Sequence, residues 1–375
     1  MLEKNMTSHK TIVLMAGGTG GHIFPALAVG NYLRERGWNL HWLGSENGME
    51  VELVPNQKIP MTLLPVSGVR KKGVMALIKA PFKILSSVLL ARRMIKKIKP
   101  DVVLGMGGFA SGPGGLAAKL CGVPLVIHEQ NAIAGLTNRQ LNRLSLWTLQ
   151  AYPGAFPQRE KVVTTGNPVR KDLLTVTEAS KRINKEDGQI NILIVGGSRG
   201  AAILNDCIPQ TMNIINDGLN ITIRHQTGKN NAQKVFDAYQ QGTNNRVTYQ
   251  VTEFIDDMAE AYSWAELVIC RAGALTVAEV AMAGCAAIFV PYPYAVDDHQ
   301  THNARYLADK EAAVIIPQHD LTAQRLAEQI TTLANNKQHI INMAELARQL
   351  AKPQATEEVA NYCIKAAIAH QEVSA

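Results

Sequence analysis

Thr11-Ile-Val-Leu-Met-Ala-Gly-Gly-Thr-Gly-Gly-His22 is a short β-branched apolar run that breaks into glycines and resumes as an alanine- and leucine-containing stretch. Asn191-Ile-Leu-Ile-Val-Gly-Gly-Ser-Arg-Gly200 repeats the device half a chain later. The apolar run reads as a parallel strand buried on both faces. The glycines let backbone approach a ligand closely and then open a helix with its N–H groups forward. Two such units predict two Rossmann-like domains facing each other across a deep cleft.

The rest of the chain fits that expectation. At 375 residues it exceeds the usual limit of a single core, and 46% hydrophobic with 18% charged residues supplies two. Strands are expected at Thr11–Ala16, Asn39–Leu43, Asp101–Gly105 and Leu125–His128, then at Asn191–Val195, Ile221–His225, Arg246–Val251, Leu267–Cys270 and Ala286–Val290. Helical patterns alternate with them, including Pro25–Arg36, Ala232–Gln241, Leu275–Ala283, Leu321–Leu333, Asn342–Leu350 and Ala355–His370. The regular pattern fades between Gly166-Asn-Pro-Val-Arg170 and the polar stretch Thr175–Gln189, so the domains are set at 1–169 and 170–351.

Five scattered cysteines with no C-x-x-C pair fit a reduced protein rather than a disulfide or zinc framework. The apolar run after the polar N-terminus is too short for a signal peptide, and no stretch approaches a membrane span. The net charge of +7 is local. Between Leu53 and Pro100 there are eleven Lys and Arg and no acid, so the remainder sums to −4. Within that stretch Val74, Leu77, Ile78, Phe82, Leu85 and Leu89 fall at helical spacings among cations. Apolar residues ringed by positive charge suit an anionic lipid surface. A core-facing amphipathic helix competes with this reading. A nucleic-acid site is weaker, because Phe82 is the only aromatic available for stacking.

Several strand-end loops carry chemistry. His22 follows the glycines near a helix start, where the helix dipole favours a neutral base; a capping or core histidine is the plainer alternative. Gly105-Met-Gly-Gly-Phe-Ala-Ser-Gly-Pro-Gly-Gly115 should share an edge with the first loop, bringing Gly107, Gly108 and Ser111 there, although Ser111 and Pro113 could simply start a helix. His128-Glu-Gln-Asn131 suits sugar hydroxyls, or a solvated loop. The segment beginning at Cys270 runs through small residues to Glu279 and offers helix N-terminal amides to a diphosphate. Asp256-Asp257 and Asp297-Asp298 could suggest a metal, but helix caps explain them without one. No acid ends the strand after the first loop, where Trp42-Leu-Gly44 stands, which disfavours a nicotinamide dehydrogenase.

Taken with Gly166–Arg170, Gly196–Ala201, Glu253-Phe-Ile-Asp-Asp-Met258 and Ala274–Glu279, these motifs resemble, in order and over nearly the whole chain, the MurG family of bacterial N-acetylglucosaminyltransferases. The resemblance implies a GT-B fold with a last helix, about 352–375, packing back onto the first domain. It implies inverting transfer of N-acetylglucosamine from UDP-N-acetylglucosamine to the C4 hydroxyl of the muramyl sugar of lipid I, giving lipid II for peptidoglycan. No metal or other cofactor is implied. Donor contacts carry over to Thr19, Gly20, Gly21, Asn131, Arg170, Ser198, Ile255, Ala274, Leu275, Thr276, Val277, Ala278, Glu279 and Gln300. His22 becomes the base or acceptor-orienting group, and Glu279 positions the donor sugar. Gly107, Gly108, Ser111, Leu77, Phe82 and Leu85 fall to the acceptor and membrane surface. The family further implies undecaprenyl-diphosphate-linked muramyl-pentapeptide and anionic phospholipid as partners, cell-wall synthesis and division proteins beside them, no nucleic acid, and a peripheral place on the cytoplasmic face of the inner membrane. Arg199 stands where the family carries glutamine, and Pro291–Gln300 departs from it in length. A related transferase with another acceptor and a non-catalytic nucleotide-binding protein are the competing readings.

Overall fold

The computed structural model describes residues 10–66, 74–184, 188–197, 200–215, 218–242 and 246–374, with side chains of the basic helix from residue 81 onward. The chain divides into two compact units, Met1–Arg170 with Gln354–Ala375, and Lys171–Pro353.

The first unit runs β1 (Thr11–Met15), α1 (Gly20–Arg34), β2 (Asn39–Ser45), α2 (Glu50–Leu53), β3 (Met61–Leu64), α3 (Val74–Ile98), β4 (Val102–Gly105), α4 (Ser111–Leu120), β5 (Leu125–Glu129), α5 (Leu136–Leu141), β6 (Trp147–Gln150) and β7 (Val162–Thr164). The second continues with α6 (Ala179–Arg182), β8 (Gln189–Val195), α7 (Ala202–Ile214), β9 (Asn220–Gln226), α8 (Ala232–Gln240), β10 (Val247–Thr252), α9 (Met258–Trp264), β11 (Leu267–Cys270), α10 (Ala274–Ala283), β12 (Ala286–Phe289), α11 (His299–Ala308), β13 (Val314–Ile315), α12 (Ala323–Ala334) and α13 (Lys337–Gln349). A final helix, α14 (Ala355–Ser374), returns to the first unit.

Each unit is a parallel sheet, and both are ordered as doubly wound folds. The first reads β3-β2-β1-β4-β5-β6-β7 and the second β10-β9-β8-β11-β12-β13. Helices cover both faces of the first sheet, which is why Ile12, Val13, Leu14 and Met15 are all buried without alternation. Ile12 and Leu14 pack with α1 and α14, including Val359, Ala360 and Cys363; Val13 and Met15 pack with α3 and α4, including Val88, Ala91 and Ile95. In the second sheet Ile192, Ile194, Ile221, Ile223, Ile269 and Ile288 form one core with Leu204, Ile208, Leu326 and Ile330.

Strand order reverses direction at two places, between β1 and β4 and between β8 and β11. Ligands of open α/β sheets bind outside the carboxyl ends of strands at such points. The glycine loops lie there. In the first unit Met15 pairs with Gly105, and in the second Cys270 pairs with Val195, so each pair of strands ends level.

Some boundaries differ from the sequence reading. Helix α1 starts at Gly20 rather than Pro25, which lies inside the helix as its sixth residue. Helix α13 starts at Lys337 rather than Asn342, capped by Asn336, whose Oδ1 accepts from the His339 amide at 3.0 Å. Strands β3, β6, β7 and β13, each of two to four residues, carry too little pattern to be seen in sequence.

Candidate functional site

At the first switch point two glycine loops lie against each other. Gly107 and Gly108 take positive φ of 92° and 83°, which glycine adopts without cost. A Cβ on Gly108 would fall 2.4 Å from the Gly17 carbonyl oxygen, and one on Gly107 would fall 3.0 Å from Cδ2 and 3.1 Å from Nε2 of His22. The absence of side chains lets the β4–α4 loop rest on the β1–α1 loop with the His22 ring beside it.

His22 is the third residue of α1, and its Nδ1 lies 3.2 Å from the Gly17 carbonyl oxygen. A carbonyl only accepts, so Nδ1 carries the proton, and in the neutral ring Nε2 is the basic nitrogen. Phe24 lies two residues further along α1, and the Arg170 guanidinium stands over its ring at 5.4 Å. Thr19 occupies the N-cap position in extended conformation, with Gly20 and Gly21 as the first two helical residues.

Ser111, expected on the acceptor surface, is fully buried: its hydroxyl donates between Gly107 O at 2.6 Å and Met15 O at 3.1 Å. It ties the β4–α4 loop to β1 and presents no surface. The expectation that His128, Glu129 and Gln130 face sugar hydroxyls also fails, since all three are buried among internal partners. His128 Nε2 donates to Gly166 O at 2.9 Å, and Gln130 Nε2 donates to His128 Nδ1 at 3.1 Å. Burial holds the His128 imidazole neutral, pushing its pKa down to about 4. Glu129 accepts from the Asn131 amide and Nδ2, the Gly135 amide and Asn138 Nδ2. Its role is to orient half-buried Asn131 and close the loop. The Gln130 carboxamide oxygen is buried without a protein partner, on the Gly107 side.

One residue that shapes this loop escaped the sequence. Glu50, fully buried at the start of α2, accepts from the Gly18 amide at 2.9 Å, the Ser45 amide at 2.8 Å and the Ser45 hydroxyl at 2.6 Å. Added Cβ atoms on Gly17, Gly44 and Gly48 would come within 2.3, 2.8 and 1.8 Å of its side chain. The pattern Gly44-x-x-x-Gly-Met-Glu50 after a strand was the available signal.

In the second unit the β8 loop is held by Gln226, another residue missed earlier. It accepts from the Gly197 amide at 3.0 Å and donates to Gly197 O and Glu253 O. Ser198 lies outside the described residues, and so does the side chain of Leu77 in α3. Helix α10 opens after Gly273, which supplies no side-chain acceptor, so its first amides point toward the strand ends. Ala274, Val277 and Glu279 are buried, while Leu275, Thr276 and Ala278 are partly open. Tyr262 donates its hydroxyl to Glu279 Oε2 at 3.3 Å, fixing that carboxylate one and a half turns into the helix. Ile255 lines an open hollow with Arg224, Thr252 and Phe254. Gln300 is turned into its own loop, its Oε1 accepting from the Tyr292 amide at 2.9 Å. Asp257 caps α9 by accepting from the Glu260 amide, and Asp298 precedes α11 and accepts from the Thr301 hydroxyl. Among the described residues no group of three or more His, Cys, Asp or Glu is placed to hold a metal ion.

On α3, Val88, Ala91, Met94 and Ile95 face the core. Phe82 is 73% exposed and Leu85 58%, and Leu89 continues their stripe. The packed neighbour α4 adds exposed Leu116 and Leu120. Of the predicted stripe, Phe82, Leu85 and Leu89 face outward, while Val88, Ala91, Met94 and Ile95 give the same helix a core-packed face; the side chains of Val74, Leu77 and Ile78 lie outside the described residues. No described helix is long and apolar enough to cross a membrane.

Two doubly wound sheets with glycine loops at their switch points form the GT-B type of nucleotide-sugar transferase, and comparison with known proteins agrees. Residues 12–146 match the glycosyltransferase family 28 N-terminal domain and residues 191–359 its C-terminal domain. A relative from Aeromonas hydrophila, a UDP-N-acetylglucosamine--N-acetylmuramyl-(pentapeptide) pyrophosphoryl-undecaprenol N-acetylglucosamine transferase, is 52% identical over 94% of this chain and 96% of its own. One from Haemophilus ducreyi with the same description is 51% identical over 95% of this chain and 99% of its own. The crystal structure of Acinetobacter baumannii MurG superposes with a TM-score of 0.82 at 46% identity, covering 95% of this chain and 99% of that one. The chain belongs to glycosyltransferase family 28 and, within it, to the MurG family.

Proposed function

We propose that the protein transfers N-acetylglucosamine from UDP-N-acetylglucosamine to the muramyl sugar of lipid I, forming lipid II. The observation that supports this reading most is half-identity with transferases of that description over nearly the full length of both chains. The site supplies the chemistry. Direct displacement forms a bond between the acceptor C4 oxygen and the anomeric carbon, while the bond to UDP breaks and its electron pair leaves on the diphosphate. In our reading His22 Nε2 takes the acceptor proton, since its Nδ1 is committed to Gly17 O. The amides opening α10 face the diphosphate and offset its growing charge, in place of a metal. Thr19, Gly20, Gly21, Asn131, Arg170, Ile255, Ala274–Glu279 and Gln300 contact the donor, as does Ser198. Glu279, braced by Tyr262, holds the sugar ring. Gly107 and Gly108 let the β4–α4 loop close against Gly17 and His22, which sets the ring that faces the acceptor.

The exposed stripe of Phe82, Leu85 and Leu89, with Lys83 and Arg93 around it, rests on the anionic inner leaflet, where the acceptor's lipid tail is embedded. This makes the protein peripheral to the cytoplasmic face of the inner membrane, next to cell-wall synthesis and division proteins. The test measures UDP release with lipid I, with an undecaprenyl diphosphate lacking the muramyl sugar, and with no acceptor. Release only with lipid I is expected; equal release in all three would refute the transfer. A His22→Ala variant with near-normal turnover would remove His22 from the chemistry.

A further inference from the structure

Glu50 lies outside every role assigned above, yet its bonding leads to His22. Its Oε2 accepts the Gly18 N–H at 2.9 Å, and the carbonyl of that same peptide group, Gly17 C=O, accepts the His22 Nδ1–H at 3.2 Å. One planar, polarisable amide therefore joins a buried carboxylate to the imidazole. We propose that Glu50 is a positioning residue for His22, acting through the Gly17–Gly18 peptide to hold the ring in its Nδ1–H tautomer and to stabilise the imidazolium formed when Nε2 takes the acceptor proton. The inference rests on His22 being the base of the transfer reaction.

Three observations carry it. The carboxylate is fully buried, a costly place for a charge, and the fold keeps it there with three donors. Gly17, Gly44 and Gly48 each lack the Cβ that would strike it, so two separate segments are shaped around this side chain. An acceptor of negative charge at the N–H end of a peptide makes its carbonyl a stronger acceptor, and the Nδ1–H bond strengthens further once the ring is charged. The same logic governs histidine bases held by a carboxylate directly; here a peptide group is interposed. The described groups named beside the ring differ from Glu50 in charge or in engagement. Gln130 is neutral, and His128 behind it is held neutral by burial. Glu129 is engaged with Asn131, Gly135 and Asn138, and Arg170 stands over Phe24.

The test uses full-length protein with Glu50→Gln, His22→Ala and the double variant. With Glu50→Gln, kcat should fall on the order of tenfold to a hundredfold while KM for the donor stays within about twofold, and the acidic limb of the kcat/KM profile should move down by about one pH unit. In the His22→Ala background the same change should cost less than about twofold, because its effect passes through the ring. Full additivity in the double variant, or an unmoved pH limb, would overturn the proposal; Glu50→Asp, which keeps the charge, should recover part of the loss. Nitrogen-15 spectra of His22 in the wild-type protein give a readout that needs neither turnover nor a folded variant. A dominant Nδ1–H tautomer is expected, and a dominant Nε2–H tautomer would sink the relay whatever the substrate proves to be.

Discussion

Gly108→Ala tests the contact on which the first loop pair depends. The new methyl group meets the Gly17 carbonyl oxygen at 2.4 Å and the Gly17 nitrogen at 2.9 Å, whereas ordinary contact begins at 3.4 Å. The obstacle is backbone already bonded to His22, so it cannot rotate away as a side chain could. Holding alanine at φ 83° costs about 1–2 kcal/mol, and overpacking adds about 1–3 kcal/mol. A total of about 2–5 kcal/mol leaves a domain of ordinary stability folded at 25 °C. Relief of the clash requires a movement on the order of 1 Å, and a misplacement of that size at a reacting group costs about a hundredfold in rate. We therefore expect Gly108→Ala to lower kcat on lipid I about a hundredfold, with the melting temperature reduced by several degrees. Gly122→Ala is the control: its φ is 76° but its Cβ meets nothing within 4 Å, so it should share the backbone strain and retain activity. Gly108→Ala turnover within threefold of wild type would refute the role given to the loop contact, and equal losses in both variants would assign the effect to strain alone.

Replacing Phe82 and Leu85 with serine should weaken binding to anionic vesicles by on the order of a hundredfold, from about 3 kcal/mol of lost apolar burial, with activity on a short-chain soluble acceptor kept. Unchanged sedimentation with vesicles would overturn the lipid-facing assignment. Acid should destabilise both units through buried imidazoles. His128 and His225 have folded pKa values lowered to about 4 and about 3 by burial, so their neutral forms favour the fold. That contribution is complete above pH 6.5 and declines as pH falls toward those values, by about 2 kcal/mol per histidine at pH 5. Urea midpoints at pH 7.5 and 5.0 measure it, and a flat response would contradict it. Treatment with a chelator should leave transfer intact, since the α10 amides are assigned the charge-stabilising role; activity lost and then restored by Mg²⁺ would reject that assignment.

The sequence made the architecture legible because the informative signals are local. A buried parallel strand must be a continuous apolar run, and a close backbone approach must be glycine, so β1, β4, β8 and β11 and their loops announce themselves. His22 was legible for the same reason, sitting directly behind the glycines. Glu50 was not, because its contacts with Gly17 and Gly18 come from a different strand end. The run His128-Glu-Gln was misread through the same kind of blindness. Three polar residues in a row look ligand-facing until Gly166 is seen to hold His128, Gly135 and Asn138 to hold Glu129, and His128 itself to hold Gln130. Ser111 likewise reads as a surface hydroxyl, while its partner Met15 O lies far back in the chain. Burial of a polar group is decided by partners remote in sequence, and periodicity carries no record of them.

The return of α14 has a consequence for how the protein comes into being. Val359, Ala360, Cys363, Ala366 and Ala367 belong to the same core as Ile12 and Leu14, so the unit begun first is finished last. Between Arg170 and Gln354 the ribosome must add the entire second unit, which at roughly 5–20 residues per second takes about 10–40 s. Throughout that interval the nascent first sheet lacks its closing helix and exposes a greasy face, making it the stage at which a chaperone would be needed most.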